Sequence, residues 1–67
     1  MVTPRIRILS QLEQGPKWTR SFHAVKALVE QLVVEGRVER VKPPNGRGAN
    51  MVALTEAGRL ELEEARR

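Results

Sequence analysis

The strongest constraint on the fold is a turn segment rich in proline and glycine between two short apolar runs. The turn reads PPNGRG at positions 43–48, with RVERV before it and NMVAL after it. Prolines and glycines preset the backbone of turns, and β-branched residues favour strands. The pattern predicts a two-stranded antiparallel hairpin.

The segment before this hairpin has the clearest helical pattern in the chain. At about 100° per residue its apolar side chains share one broad face: Phe22, Val25, Leu28, Val29, Leu32 and Val33. Thr19 or Ser21 offers an N-cap, and Gly36 ends the run. We predict a helix over about residues 20–35. Its exposed side chains are basic at the start, where the helix dipole favours acids, and this order suggests a use other than stability.

Two further helices complete the predicted order. The first covers about residues 4–14, with Thr3 as N-cap and Pro4 in its first turn. The last follows Thr55, its predicted N-cap, over 56–67. We expect its packed stripe to contain Ala57, Leu60 and Ala65. Glu61, Glu63 and Glu64 are expected on a solvated face, with a partner surface as the alternative. The chain is therefore predicted to be a single α+β domain over 1–67, ordered helix, helix, hairpin, helix.

Composition excludes several classes of function. The 67 residues include no cysteine, which rules out disulfides, thiolate metal sites and cysteine nucleophiles. A lone histidine, His23, makes neither a metal site nor a catalytic dyad, and no glycine-rich phosphate loop is present. We expect no enzymatic activity, no cofactor and no metal.

The apolar runs and the charge point to location and partner. Apolar runs are only a few residues long and the N-terminal segment is too charged for a signal peptide, so a soluble cytoplasmic protein is expected. The formal net charge is +4, and the basic surplus lies within residues 1–50. Such a distribution suits a polyanion partner on one face. The alternative is an ordinary positive charge that serves only solubility.

The sequence on both sides of the turn resembles the C-terminal half of a winged helix-turn-helix domain, in particular that of MarR-type bacterial transcription regulators. In that family a recognition helix with V-x-x-L-V-x-x-L spacing ends at a glycine, an arginine closes the next strand, another lies near the wing tip, and the return strand ends in L-T-x-x-G. The matching positions are Val25, Leu28, Val29, Leu32, Gly36, Arg40, Arg47, Leu54, Thr55 and Gly58. Arg37 departs from the apolar residue expected in the first strand. The resemblance covers about residues 20–60 and implies a small winged-helix domain.

One element of that family is missing from the predicted order. The family has a complete helix before the recognition helix, whereas here only GPKWTRS, at positions 15–21, is available. This segment leaves room for a single turn. Trp18 is expected to fill the space, because an indole buries a large area, and Trp18 and Phe22 are expected to pack in the core.

The resemblance implies an interface for double-stranded DNA in two parts. The start of the recognition helix would face the major groove with Arg20, Ser21, His23 and Lys26. The wing would follow the backbone with Lys42, Asn45, Arg47 and Asn50, and Arg47 would enter the minor groove. Arg20 and Lys26 also fit the alternative of solvated surface charges. Arg37 and Arg40 are expected on the solvent side of the first strand, where contact with backbone phosphates and simple solubility are the two alternatives.

The expected function is sequence-preferring DNA binding by a transcriptional or recombination-type regulator associated with the nucleoid. Specificity would require either a homodimer on two half-sites, through the first and last helices, or cooperative neighbours, because one copy offers few base contacts. The alternative is a winged-helix protein-interaction module, such as a small viral-type accessory protein that binds a host regulator or polymerase subunit. RNA binding is disfavoured, because one Trp, one Phe and no Tyr make a poor stacking platform.

Overall fold

A computed structural model of the chain describes residues 2–43 and 51–67. Over these residues it contains three α-helices, one 3-10 helix and one antiparallel sheet. The elements are α1 (Pro4–Leu12), β1 (Lys17–Trp18), the 3-10 helix (Thr19–Val25), α2 (Lys26–Val34), β2 (Val38–Val41), β3 (Met51–Leu54) and α3 (Glu56–Ala65). The chain is therefore a small α+β domain, as the sequence predicts. None of the helices in these ranges has the length and apolar character needed to cross a bilayer.

The sheet has three strands in the order β1-β3-β2. Strands β2 and β3 pair antiparallel with Val38 opposite Leu54, which confirms the pairing predicted on the two sides of the turn. The third strand was not predicted: Lys17 lies opposite Val52, and Trp18 lies opposite Met51. A two-residue strand has no periodicity that a sequence pattern can reveal.

The helix predicted over about residues 20–35 is in fact two helices, and that prediction was wrong at its start. Phe22 (φ −111°, ψ 25°) interrupts the 3-10 helix, and Val25 (φ −125°, ψ 31°) separates it from α2. Neither Thr19 nor Ser21 caps α2, whose N-cap position is Val25, without a side-chain cap. The apolar spacing continues through the break because Phe22 and Val25 pack on the same core as α2. The segment 15–21, where at most a single turn was expected, contains the short strand β1 and the first residues of the 3-10 helix, and the rest of the 3-10 helix replaces the start of the predicted long helix.

Apolar side chains from all three α-helices, the 3-10 helix and the sheet form one core: Ile8, Leu9, Leu12, Phe22, Val29, Leu32, Val38, Val52 and Leu62. The predicted core position of Phe22 is confirmed, but Trp18 is only half-buried. The stripe predicted for α3 was wrong. Leu60 is 54% exposed, and Leu62 is buried instead.

The start of α3 is anchored to the junction between α2 and β2. The Thr55 hydroxyl accepts a hydrogen bond from the Gly58 N–H (3.1 Å) and donates one to the Gly36 carbonyl (2.6 Å), which confirms Thr55 as the N-cap. The Thr55 N–H donates to the Arg37 carbonyl at 3.2 Å. A Cβ atom at position 58 would lie 2.0 Å from that same carbonyl oxygen. Helix α3 therefore reaches this junction only because residue 58 is a glycine.

A network of ion pairs joins α1, α3 and the junction that follows α2. The Arg5 guanidinium donates to both carboxylate oxygens of Glu61, at 2.8 Å for the Nη2–Oε1 contact, and also to Glu35. Arg37 Nε donates to Glu61 Oε1 at 3.0 Å. The prediction that Glu61 lies on a solvated face was therefore wrong, because its side chain is 23% exposed and paired twice.

Arginine side chains hold several carboxyl groups in their ionised form. Hydrogen bonds from Arg5 lower the pKa of Glu61 and of Glu35 below the ordinary value of 4.5. At the far end of the helix pair, Arg66 donates to both oxygens of Glu13 at 2.9 Å and lowers the pKa of Glu13. The folded domain therefore binds fewer protons than the unfolded chain at acidic pH.

These lowered pKa values predict a loss of stability in acid. The paired glutamates contribute fully to the free energy of unfolding when the pH is above the carboxyl pKa of the unfolded chain. This contribution disappears as the pH falls through the lower carboxyl pKa values of the folded domain. We expect the free energy of unfolding to be nearly constant from about pH 7 to about pH 5 and to fall below about pH 4.5. Urea titrations followed by circular dichroism at stepped pH will measure this change. Glu61→Gln should show a smaller decrease in the free energy of unfolding at acidic pH than wild type. The same decrease in both proteins would contradict the assignment of this effect to Glu61.

Candidate nucleic-acid interface

A concave surface with basic side chains lies between the start of α2 and the sheet. We call it the basic groove. It has a volume of about 340 Å³ and is lined by Thr19, Arg20, Phe22, His23, Lys26, Val29, Glu30, Arg40 and Val52. Phe22, Val29 and Val52 belong to the buried core, so the floor of the groove is apolar while its rim is charged.

Three elements place the cations of the basic groove. Arg20 comes from the 3-10 helix, Lys26 is the first residue of α2, and Arg40 comes from β2. Side chains alternate along a strand, so Arg40 shares a face of β2 with the buried Val38. Arg40 lies opposite Val52 in the sheet. Val38 on this face of β2 is buried in the core, whereas Arg40, the next side chain on the same face, is exposed and lines the basic groove.

The division of the predicted helix gives the groove its electrostatic character. Because α2 begins at Lys26, the amino end of a nine-residue helix lies at the groove. This end carries the partial positive charge of the helix dipole, and the first turn of α2 contains no acidic residue. The dipole and the side-chain cations therefore favour the same kind of partner, an anion.

Trp18 holds one of these cations in place. The guanidinium carbon of Arg20 lies 5.2 Å from the centroid of the Trp18 ring, within the range of a cation–π contact. Trp18 is fixed in turn by its place in β1 opposite Met51. The expectation that the indole replaces a missing helix in the core is therefore corrected: the ring is half-buried and supports Arg20 at the rim of the groove.

The structure brings together some of the predicted site residues and separates others. Arg20, His23 and Lys26 are exposed and line the basic groove, although only Lys26 belongs to α2. Ser21 lines a different groove, between α1 and the 3-10 helix, and does not join them. Its prediction as a residue of the recognition helix was wrong, because the chain is in a 3-10 conformation there.

The predicted wing residues are mostly outside the described part of the chain. Lys42 follows β2 and is exposed, but among the described residues it does not line the basic groove. Asn45, Arg47 and Asn50 lie outside the described residues. Their contact with DNA stays a prediction.

Arg40 was matched to the family pattern and expected on the solvent side of its strand, in contact with phosphate or serving solubility, but it was not assigned to the predicted interface. The sequence contained the information needed to predict this position, because Val38 and Arg40 are two residues apart and therefore share one face of a strand. Glu30 also lines the groove and lies near Arg40, at 4.0 Å between Glu30 Oε1 and Arg40 Nη2. Among the described residues, the groove is therefore lined by three cations, one histidine and one carboxylate.

A metal site finds no support in the described ranges. Within residues 2–43 and 51–67, no group of three or more His, Asp or Glu side chains is arranged to hold a metal ion. Comparison with known proteins adds no relative: no family model matches the chain, and no curated protein or solved structure is significantly similar to it.

Proposed function

We propose that this protein binds double-stranded DNA through a winged-helix-like surface, as a transcriptional or recombination-type regulator associated with the nucleoid. The observation that carries the proposal is the basic groove, where Arg20, Lys26 and Arg40 converge from three elements at the start of α2. Clustered cations on one face are the electrostatic basis of binding to the phosphate backbone.

The arrangement of the elements supports the winged-helix part of the proposal. A short helix precedes α2, and an antiparallel strand pair follows it, which is the order of a helix-turn-helix with a wing. In this proposal α2 enters the major groove with Lys26 leading, while Arg20 and Arg40 contact phosphates on its two sides. Phosphate contacts fix the orientation of the protein, and the exposed face of α2 reads base edges.

A charge-removal experiment tests the proposal. We expect wild-type affinity for a fluorescein-labelled duplex, measured by anisotropy, to fall with salt at a log–log slope of about −0.9 per phosphate contact. The triple variant Arg20→Ala/Lys26→Ala/Arg40→Ala should bind roughly ten-fold more weakly or worse, with a slope shallower by about 2–3 units. Circular dichroism will verify that the variant is folded.

A variant matched in charge separates a local effect from a general one. Arg7→Ala/Arg59→Ala/Arg67→Ala removes the same number of cations from exposed positions on α1 and α3 and in the residues that follow α3. It should keep most of the affinity and of the salt slope. Size-exclusion chromatography will verify that it keeps the wild-type oligomeric state, because α1 and α3 are also the proposed dimer surface. A wild-type slope near zero, or equal losses in the two triple variants, would reject the basic groove as a DNA site.

A homodimer through α1 and α3 is part of the proposal, because two half-sites raise specificity. A protein-interaction module is the alternative function, and one observation favours it: Val34 is 87% exposed on α2, and an exposed apolar side chain suits a protein contact. The salt titration separates the two functions, because a protein-interaction module predicts little or no salt-dependent binding to the duplex.

A further inference from the structure

The exposed face of α2 carries side chains of several chemical types. Lys26, Ala27, Glu30 and Val34 are all exposed. Lys26, Glu30 and Val34 follow one another at intervals of four residues, and Ala27 lies three residues before Glu30, so all four lie along one side of the helix. Val29 and Leu32, which belong to the opposite side, are buried. A surface that only neutralised phosphates would carry cations throughout, whereas this face carries a cation, a methyl group, an anion and a branched apolar group.

Glu30 is the member of this face that phosphate binding does not explain. It lines the basic groove, where its charge would repel a phosphate. Its role in stability is also small. The contact with Arg40 is 4.0 Å long, and the two side chains are 51% and 49% exposed. An ion pair this open and this long contributes little to folding, because solvent screens it and it lacks the distance of a charge-assisted hydrogen bond.

The chemistry of base edges gives Glu30 a role. An ionised carboxylate has hydrogen-bond acceptors only. In the major groove, cytosine presents its 4-amino donor, guanine presents two acceptors, thymine presents an acceptor and a methyl group, and adenine presents a donor beside an acceptor. A carboxylate therefore pairs best with cytosine and is repelled by guanine.

We propose that Glu30 is a specificity-determining residue of the duplex-binding surface, accepting a hydrogen bond from the 4-amino group of a cytosine in the major groove. This inference rests on the proposed function. Arg40 supports it, because its cation lies beside Glu30 and offsets the repulsion between that carboxylate and the neighbouring phosphates. The cations of the groove then provide affinity, and Glu30 selects the base.

Selection from a randomised duplex library tests this inference. Wild type, Glu30→Gln and Glu39→Gln are each used to enrich binding sequences from duplexes with about 20 random base pairs. We expect wild type to prefer a C·G pair at one position by roughly ten-fold or more. Glu30→Gln should lose this preference and favour adenine there, because a carboxamide pairs with the N6 and N7 atoms of adenine. Its overall affinity should stay equal or rise, since one negative charge is gone.

Glu39→Gln is the matched control, because Glu39 is also exposed and its removal changes the net charge equally, but it lies on the other face of β2. It should keep the wild-type base preference. An unchanged preference in Glu30→Gln, with duplex binding intact, would overturn this inference and leave the proposed function standing. The same change of preference in both variants would also overturn it. Absence of duplex binding by wild type would overturn both.

Discussion

Gly58→Ala is expected to destabilise the domain by about 2–3 kcal/mol, the cost of forcing atoms into a well-packed site. The added Cβ would lie 2.0 Å from the Arg37 carbonyl oxygen and 2.8 Å from a methyl group of Leu54. Backbone cannot move away as a flexible side chain can, so α3 must shift and its anchoring at Thr55 must weaken. Helix propensity alone predicts the opposite sign, because alanine in a helix is favoured over glycine by about 1 kcal/mol.

Urea denaturation of the two proteins measures the sign directly. Arg59→Ala is the control, because Arg59 is the next residue of the same helix and is exposed. Its stability should lie within about 0.5 kcal/mol of wild type. A Gly58→Ala protein as stable as wild type, or more stable, would show that α3 does not approach the junction so closely.

Arg5→Met is expected to lower the free energy of unfolding by about 1–2 kcal/mol, in the range measured for hydrogen bonds to charged groups in partly exposed positions. Methionine keeps an apolar chain of similar length, so the variant mainly removes the guanidinium. Glu61 loses two hydrogen bonds and Glu35 loses one, while Arg37 still pairs with Glu61. The remaining pair limits the loss.

Arg7→Met separates this loss from the general effect of charge. Arg7 is exposed on the same helix, and its substitution changes the net charge equally. Chemical denaturation should show a small change for Arg7→Met and a larger one for Arg5→Met, and the difference should shrink at high salt. Equal stabilities of the two variants at low salt would mean that the network contributes nothing measurable.

The sequence predicts best where a local residue type determines the backbone. Thr55 begins α3 because its hydroxyl caps the helix, and this requirement is visible in the sequence. Gly36 follows α2 at a φ of 78°, a conformation that glycine adopts without cost. The strand pair is likewise predictable, because β-branched runs on both sides of a turn have few other ways to pair.

Prediction fails where packing overrides periodicity. The spacing of Phe22 and Val25 fits one long helix, yet both serve the same core from a 3-10 segment that precedes α2. In α3, a regular apolar stripe favours Leu60, but the close approach at Gly58 turns Leu62 inward instead. The candidate site shows the same limit. Arg20 and Lys26 are recognisable as cations, whereas the support of Arg20 by Trp18 depends on a strand too short to predict.

The pairing of α1 with α3 has a consequence for how the chain folds. Arg5 and Glu61 are 56 residues apart in sequence, and Leu9 shares its core with Leu62. Contacts of this separation raise the contact order and slow folding, because a long loop must close before they form. On the ribosome, α1 therefore has no complete core to join until α3 has been synthesised. The domain gains its stability late, as a unit, rather than helix by helix.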